Sequence, residues 1–527
     1  MRSSAARAYA VLFFLSGATG LVYELLWVRV LYQTFGSTLQ SVTTVVAAYM
    51  GGLGLGAWLL GRRADRALRP AALYGWLEIA IGAFGGISPF ALALVHRLYI
   101  GWASGFHLSG GASVALRFGL AALILLVPTT LMGGTLPVLT RAFTGADRNE
   151  LQRSLGLLYG LNTLGAVMGT ALAGLFLIEH VGIRASLWAT AAVNVGLGVG
   201  ALSLAQPLVV GSPTREAPPA GGPPAAAGLL RSVALVLLAA TAFASLLDEI
   251  AWTRVLAMIV GGSTYAFTLV LLVFLLGIGI GSRVVARGRL PPARTAAYAA
   301  LAQAVTAAGA SVLFVVFRAL PRYIIAIFQV PTLDATERLL AMGGVVGGVV
   351  LVPAIGMGMT FPLLTELVAP PDTARGADVG GAYALNTLGS IVGAVLTGFV
   401  LVVTLGTDVT LRVGVGINVV AALVLVWLAA RGVPEGSAEH GALQFRVLTA
   451  AGLAMLAFVT ALAAPHWSTR LIDLGPSIYA RAPMNARMVT EFLAHRGSRQ
   501  LMYAEGWNAT VSVWDGITGR SLKVNGK

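Results

Sequence analysis

Residues 23–31, YELLWVRVL, decide the fold, because they return as residues 248–256, DEIAWTRVL, 225 positions later. Glu24, Trp27, Arg29 and Leu31 fall on Glu249, Trp252, Arg254 and Leu256. The same offset carries Pro128, Met132, Gly133, Thr135, Pro137 and Thr140 of PTTLMGGTLPVLT onto Pro353, Met357, Gly358, Thr360, Pro362 and Thr365. After one deletion the offset is 224, and Tyr159, Asn162, Thr163, Leu164, Gly165, Gly169 and Gly174 fall on Tyr383, Asn386, Thr387, Leu388, Gly389, Gly393 and Gly398. A repeat of this length in an apolar chain predicts a duplicated transmembrane bundle.

Composition agrees. Hydrophobic residues make up 57% and charged residues 11%, with a mean hydropathy of +0.84, which excludes an ordinary soluble domain. The net charge of +14 does not point to nucleic acid, because the basic residues are spread over short loops between apolar runs. With no cysteine there is neither a disulfide nor a thiolate metal site, and the six His lack metal-ligand spacing.

Apolar runs long enough to cross a bilayer occur near 9–31, 39–61, 71–95, 112–137, 155–179 and 184–205. Their counterparts are 231–256, 263–285, 295–317, 339–363, 379–404 and 409–430. An even number of spans per half makes the repeats parallel. The predicted fold is an all-α integral membrane protein: a first six-span repeat over 1–205, a Pro/Gly/Ala-rich linker over 206–228, a second repeat over 229–432 and a thirteenth span over 445–464. GLGLG at 52–56 lies within a span, so it is not a phosphate loop. Arg2 and Arg7, Arg62 to Arg69, Arg141 to Arg153, and Arg283 to Arg294 mark loops on one side; Arg318, Arg322 and Arg338 are the exception. The positive-inside rule makes that side, and the N-terminus, cytoplasmic.

Six plus six parallel spans with a central linker resemble the major facilitator superfamily, and Gly61-Arg62-Arg63-Ala64-Asp65-Arg66 resembles its Gly/Asp/Arg loop. Arg-rich turns are also plain positive-inside anchors. YELLWVR, GGLGLGAWLLGRRADR and residues 501–527, LMYAEGWNATVSVWDGITGRSLKVNGK, together resemble bacterial proteins that fuse a multi-span bundle to a spermidine synthase-like domain. In the tail, 508–525 reads as the β-hairpin that opens such a domain, within an incomplete 465–527. Asn525 stands where the family has Asp, and the chain ends before the catalytic residues, so the expectation is a truncated piece that holds no catalytic, cofactor or metal residue. Activity as an aminopropyltransferase, with decarboxylated S-adenosylmethionine as substrate, is implied only if the chain continues past Lys527.

The resemblance implies a bacterial inner-membrane protein of polyamine synthesis or movement. Its partners are the lipid bilayer and polyamines or another small cation, with no nucleic acid. Two alternatives stay open: a facilitator-like transporter with a small accessory tail, and a non-transporting scaffold. Thirteen spans starting inside put 465–527 outside the cytoplasm.

Candidate polar residues follow from cost. An ion at the bilayer centre costs about 2.5–3.5 kcal/mol on insertion scales, so it should be paired or functional. Glu24 and Arg29 are five residues apart, about 140° off face on a helix, as are Glu249 and Arg254. Pairing across the pseudo-twofold is therefore expected: Glu24 with Arg254, and Glu249 with Arg29. The acids either bind a polyamine or couple protons, or the four form a structural network. Glu78 has only Ala302 or Gln303 at its repeat position, and it reads as an asymmetric substrate site or as a hydrogen-bond anchor to a neighbouring helix. Asn162 and Asn386, among glycines spaced by four, read as packing residues. Pro128, Pro137, Pro353 and Pro362 are expected to interrupt two spans and free carbonyls that line a cavity, or to be simple kinks.

Overall fold

With no water in the hydrocarbon core, a spanning chain satisfies its backbone groups within helices, and this chain does so throughout its apolar runs. The computed structural model describes residues 4–35, 39–105, 110–143, 148–205, 225–261, 264–286, 290–368, 376–431, 440–480, 483–494, 497–506, 509–516 and 519–526. Residues 206–224 of the linker, Arg2, Arg287, Arg289 and Asn508 lie outside the described residues.

The first half comprises α1 (Ser4–Phe35), α2 (Leu39–Arg66), α3 (Pro70–Gly105), α4 (Gly110–Phe143), α5 (Arg148–Leu172) and α6 (Ile183–Leu204). The second comprises α7 (Ala225–Val260), α8 (Thr264–Val285), α9 (Pro292–Val316), a short α10 (Leu320–Gln329), α11 (Ala335–Val368), α12 (Gly376–Leu396) and α13 (Val402–Arg431). A further helix, α14 (His440–Ala463), follows. Among the described residues twelve helical runs are long and apolar enough to cross a membrane, and one of them, Ala377–Arg431, has 55 residues. That run is about 80 Å long, over twice the ~30 Å hydrocarbon core. It breaks at Gly406, whose φ of 78° is left-handed, so it makes two crossings and α14 makes the thirteenth.

The halves pack alike. α1 lies on α5 and α6, α2 on α4, and α3 on α4 and α6; correspondingly α7 lies on α12 and α13, α8 on α11, and α9 on α11 and α13. The likeness extends to single atoms. A Cβ on Gly165 would collide with the Phe14 carbonyl oxygen and one on Gly169 with that of Ala18; on Gly389 and Gly393 it would meet those of Ala239 and Phe243, each 224 or 225 residues later. Lipid supplies no hydrophobic force between helices, so such close backbone approach is a main source of cohesion. Each half also ends its fifth span in a π-helical turn, Ala173–Val181 and Thr397–Leu401, before a left-handed glycine, Gly182 or Gly406. The seam between halves is made by α2 against α12 and α5 against α8.

The four prolines do not interrupt their spans. Pro128 and Pro137 lie inside a continuous α4, and Pro353 and Pro362 inside a continuous α11, because neighbouring helices bury these turns.

After α14 come α15 (Thr469–Ile472), α16 (Pro476–Tyr479) and α17 (Ala486–Leu493), then three antiparallel strands in order β1-β2-β3: β1 (Ser498–Glu505), β2 (Thr510–Gly516) and β3 (Gly519–Val524). The expected hairpin is present as β2 and β3, with Val511 opposite Val524 and Gly516 opposite Gly519; β1 was not foreseen. Asn525, the departure from the family's Asp, takes a φ of 52° and its Oδ1 accepts the Thr510 N–H at 2.9 Å, so it ends the hairpin in a conformation Asn tolerates.

Gly165→Val should destabilise the detergent-solubilised protein by about 1–3 kcal/mol or more through overpacking. Gly196→Val, where a Cβ meets open space, should leave the thermal unfolding midpoint almost unchanged.

Candidate functional site

Glu24 and Glu249 occupy equivalent points of α1 and α7. They lie within electrostatic reach of each other. Tyr49 of α2 and Tyr383 of α12 are within the same reach of Glu24, and Tyr159 of α5 is close to Tyr383. Rings extend the lining: Tyr159 is 5.0 Å from Phe361, and Phe361 is 5.7 Å from Tyr383, centroid to centroid. Tyr49 is anchored on Gly20 O at 3.3 Å and on Met132 Sδ at 3.7 Å. Glu24 and Glu249 are both half-buried. Among the described residues no ion pair engages either.

The diagonal pairs expected from sequence do not form. Five residues carry Arg254 about 7.5 Å along α7 from Glu249, to the end of the helix, where polar partners exist. There its Nε is 3.7 Å from Glu505 Oε2 of β1, and its Nη2 donates to Gly506 O at 3.1 Å and Thr510 Oγ1 at 3.0 Å. Arg29, at the matching place on α1, is half-buried. Glu24 lies within electrostatic reach of Glu249, and neither acid pairs with an arginine among the described residues.

Glu78 is fully buried and anchored. It accepts Ser16 Oγ of α1 at 2.5 Å and Asn194 Nδ2 of α6 at 2.6 Å. Its repeat position, Gln303, donates to Thr360 Oγ1 at 2.6 Å. The second half has its own buried acid on a different helix: Asp248 of α7, facing Asn418 Nδ2 of α13 at 3.4 Å, with Asn418 the counterpart of Asn194. Asp248 went unselected from sequence, although an acid beside Glu249 within a span and an Asn at the shared offset were visible signals. Asn162 packs its carbonyl and Oδ1 against Gly17 of α1, seven residues or about 10 Å from Glu24. Asn386 is half-buried on α12.

At the N-terminal end of the bundle, Asp65 of the Gly/Asp/Arg loop crosses the seam. Its Oδ2 accepts the Ala377 N–H at 2.9 Å, at the positive N-terminus of α12, and its Oδ1 is 3.5 Å from Arg141 Nε. Beside it Gly380 packs on the Ala57 carbonyl. That loop is therefore a clasp as well as a charge anchor.

The tail closes on the opposite end. Glu505 Oε2 also accepts the Thr407 N–H at 3.0 Å and bonds Thr407 Oγ1, which caps α13 just past Gly406. Tyr503, its hydroxyl pushed well above the ordinary tyrosine range chiefly by burial, stays protonated and donates to Glu505 Oε1 at 3.1 Å. Asp473 joins the helical connector to the sheet by accepting Trp514 Nε1 at 2.5 Å and Ser512 Oγ. Arg412 holds the end of α14 by donating to the carbonyls of Ala461, Ala464 and Pro465, while Asp408 accepts both Arg412 and His466.

In a chain without native cysteine, Ala57→Cys gives a single labelling site at the clasp. Adding Asp65→Ala should speed maleimide labelling of that cysteine at least several-fold without loss of helix content.

No family model matches the chain. It is 27% identical over 182 residues, 34% of its length, to the polyamine aminopropyltransferase of Leptospira interrogans, and 27% identical over 185 residues, 35% of its length, to polyamine aminopropyltransferase 2 of Streptomyces coelicolor. The matched region spans 32% of each of those relatives. Among solved structures it is similar to a human organic anion transporter at a TM-score of 0.49 and 14% identity, covering 80% of this chain and 100% of that one.

Proposed function

We propose that this chain is a secondary transporter of small organic cations, polyamines foremost, in the bacterial inner membrane. The observation that carries the reading is the pair Glu24 and Glu249: two acids within electrostatic reach of each other, with Tyr49 and Tyr383 in reach of Glu24, and engaged by no ion pair among the described residues. Two neighbouring carboxyl groups in a weakly screened interior ionise together only at a cost, and a ligand with two separated ammonium groups offsets that cost as a monocation does not. Tyrosine faces and hydroxyls suit alkylammonium groups. The curated relatives act, by their names, on polyamines, which favours the same ligand class here.

The halves, 1–205 and 229–432, move about the seam on this reading, with the clasp at Asp65 on the cytoplasmic side given by the Arg-rich loops and the N-terminus inside. The tail then faces away from the cytoplasm. Its hairpin supports a second role as the opening unit of a synthase-like module, for which decarboxylated S-adenosylmethionine is the donor.

Proteoliposomes holding the purified chain should take up labelled spermidine saturably, with competition by putrescine. Glu24→Gln and Glu249→Gln should each lower uptake at least tenfold while the unfolding temperature stays within a few degrees. Folded wild-type protein that neither binds nor transports a polyamine would leave the scaffold reading, and a variant that fails to fold would give its acid a structural role.

A further inference from the structure

Glu505 ties together two helices that the candidate site needs. Its carboxylate takes the N–H and hydroxyl of Thr407 at the start of α13 and stands 3.7 Å from the Arg254 guanidinium on α7, both partners nearly buried. About 9–10 Å deeper the same two helices touch again. Six residues before Arg254 comes Asp248, and seven after Thr407 comes Gly414, where a Cβ would run into Asp248 Oδ1. One turn further on, Asn418 bonds Asp248 Oδ2. Glu249 is the next residue on α7, so the contact that sets the height and rotation of Asp248 sets those of Glu249 too.

We infer that Glu505 is a positioning residue: the tail's first strand clamps the outer ends of α7 and α13 and thereby holds Glu249 within reach of Glu24. The bonds of Glu505 go to the second half, and among the described residues the strands of the tail are the only ones in the chain. The clamp thus makes a duplicated bundle asymmetric, with the tail tied to the second half. A charged clamp suits this place. Gly406 leaves the N-terminal amides of α13 without helical acceptors, and a carboxylate that meets them gains from the helix dipole as well as from Arg254. Ligand or partner binding on the tail would reach the transport site along this route.

The inference rests on the transport reading for its consequence but not for its test. Hydrogen exchange is followed on the full chain in lipid nanodiscs for Glu505→Gln and for Thr510→Val, which removes one bond from Arg254 to the sheet but leaves Glu505 on both helices. Glu505→Gln should speed exchange at least threefold in peptides from 244–256 and 404–414, with Thr510→Val changing them by less than half as much on a logarithmic scale. Thr407→Val, which deletes only the hydroxyl bond, should give the same pattern at lower amplitude if Glu505→Gln unfolds the tail. Faster exchange confined to 498–516, or equal effects from Glu505→Gln and Thr510→Val, would overturn the clamp. In proteoliposomes that do transport, Glu505→Gln should raise the spermidine KM at least threefold with Vmax within twofold, and an effect on Vmax alone would also contradict it. An inert wild type would end the transport reading while the exchange result still decides the clamp.

Discussion

Everything in this bundle depends on how closely helix backbones approach without side chains between them. Apolar side chains gain little by leaving lipid for protein, so cohesion comes from contact area and polar bonds at short range. Gly165 and Gly169 let α5 lie against α1, and Gly389 and Gly393 do the same for α12 and α7. Because the crossings repeat, the helices carrying the acids repeat too, and Glu24 and Glu249 take equivalent places within electrostatic reach of each other. Their proximity follows from the packing; it is not an added feature of the loops.

Departures from that symmetry concentrate around polar groups. Each half buries one carboxylate against the equivalent Asn of its last helix, but Glu78 arrives from α3 and Asp248 from α7. Glu78 accepts from both Ser16 and Asn194, while Asp248 Oδ1 has no partner among the described residues. A buried polar atom without a partner costs about 1–3 kcal/mol, and among the described residues both halves carry such atoms, Tyr23 Oη, Trp27 Nε1 and Asn194 Oδ1 in the first and Asp248 Oδ1 and Trp252 Nε1 in the second. The tail docks on that second half, through Arg254, Thr407 and the capped end of α14.

Much of the architecture was legible because the bilayer demands long apolar runs and duplication doubles every signal. The spans were located within a few residues, the thirteenth was set apart by having no counterpart, and the hairpin was marked by alternation around Asp515-Gly516. Partners were harder. Glu24 and Arg254 are complementary in charge, and helical angles alone favour a diagonal pair, yet the angles say nothing of height. Arg254 lies a turn and a half nearer the membrane face, where a strand some 250 residues later offers Glu505. No local pattern encodes that meeting. Asp248 was hidden for a different reason: its repeat partner is Tyr23, so the alignment that exposed Glu249 concealed it. Asp65 was legible as a motif but not as a clasp, since its acceptor role depends on the N-terminus of a helix in the other half.

The most direct test of the account is chemical cross-linking between Glu24→Cys and Glu249→Cys in this cysteine-free chain, with a protease site placed in 206–224 so that joined halves migrate together after cleavage. A short bismaleimide should join the halves, and 24/254 should react far less. Efficient joining of 24/254 with none at 24/249 would restore the diagonal ion pairs and remove the facing carboxylates on which the transport reading stands.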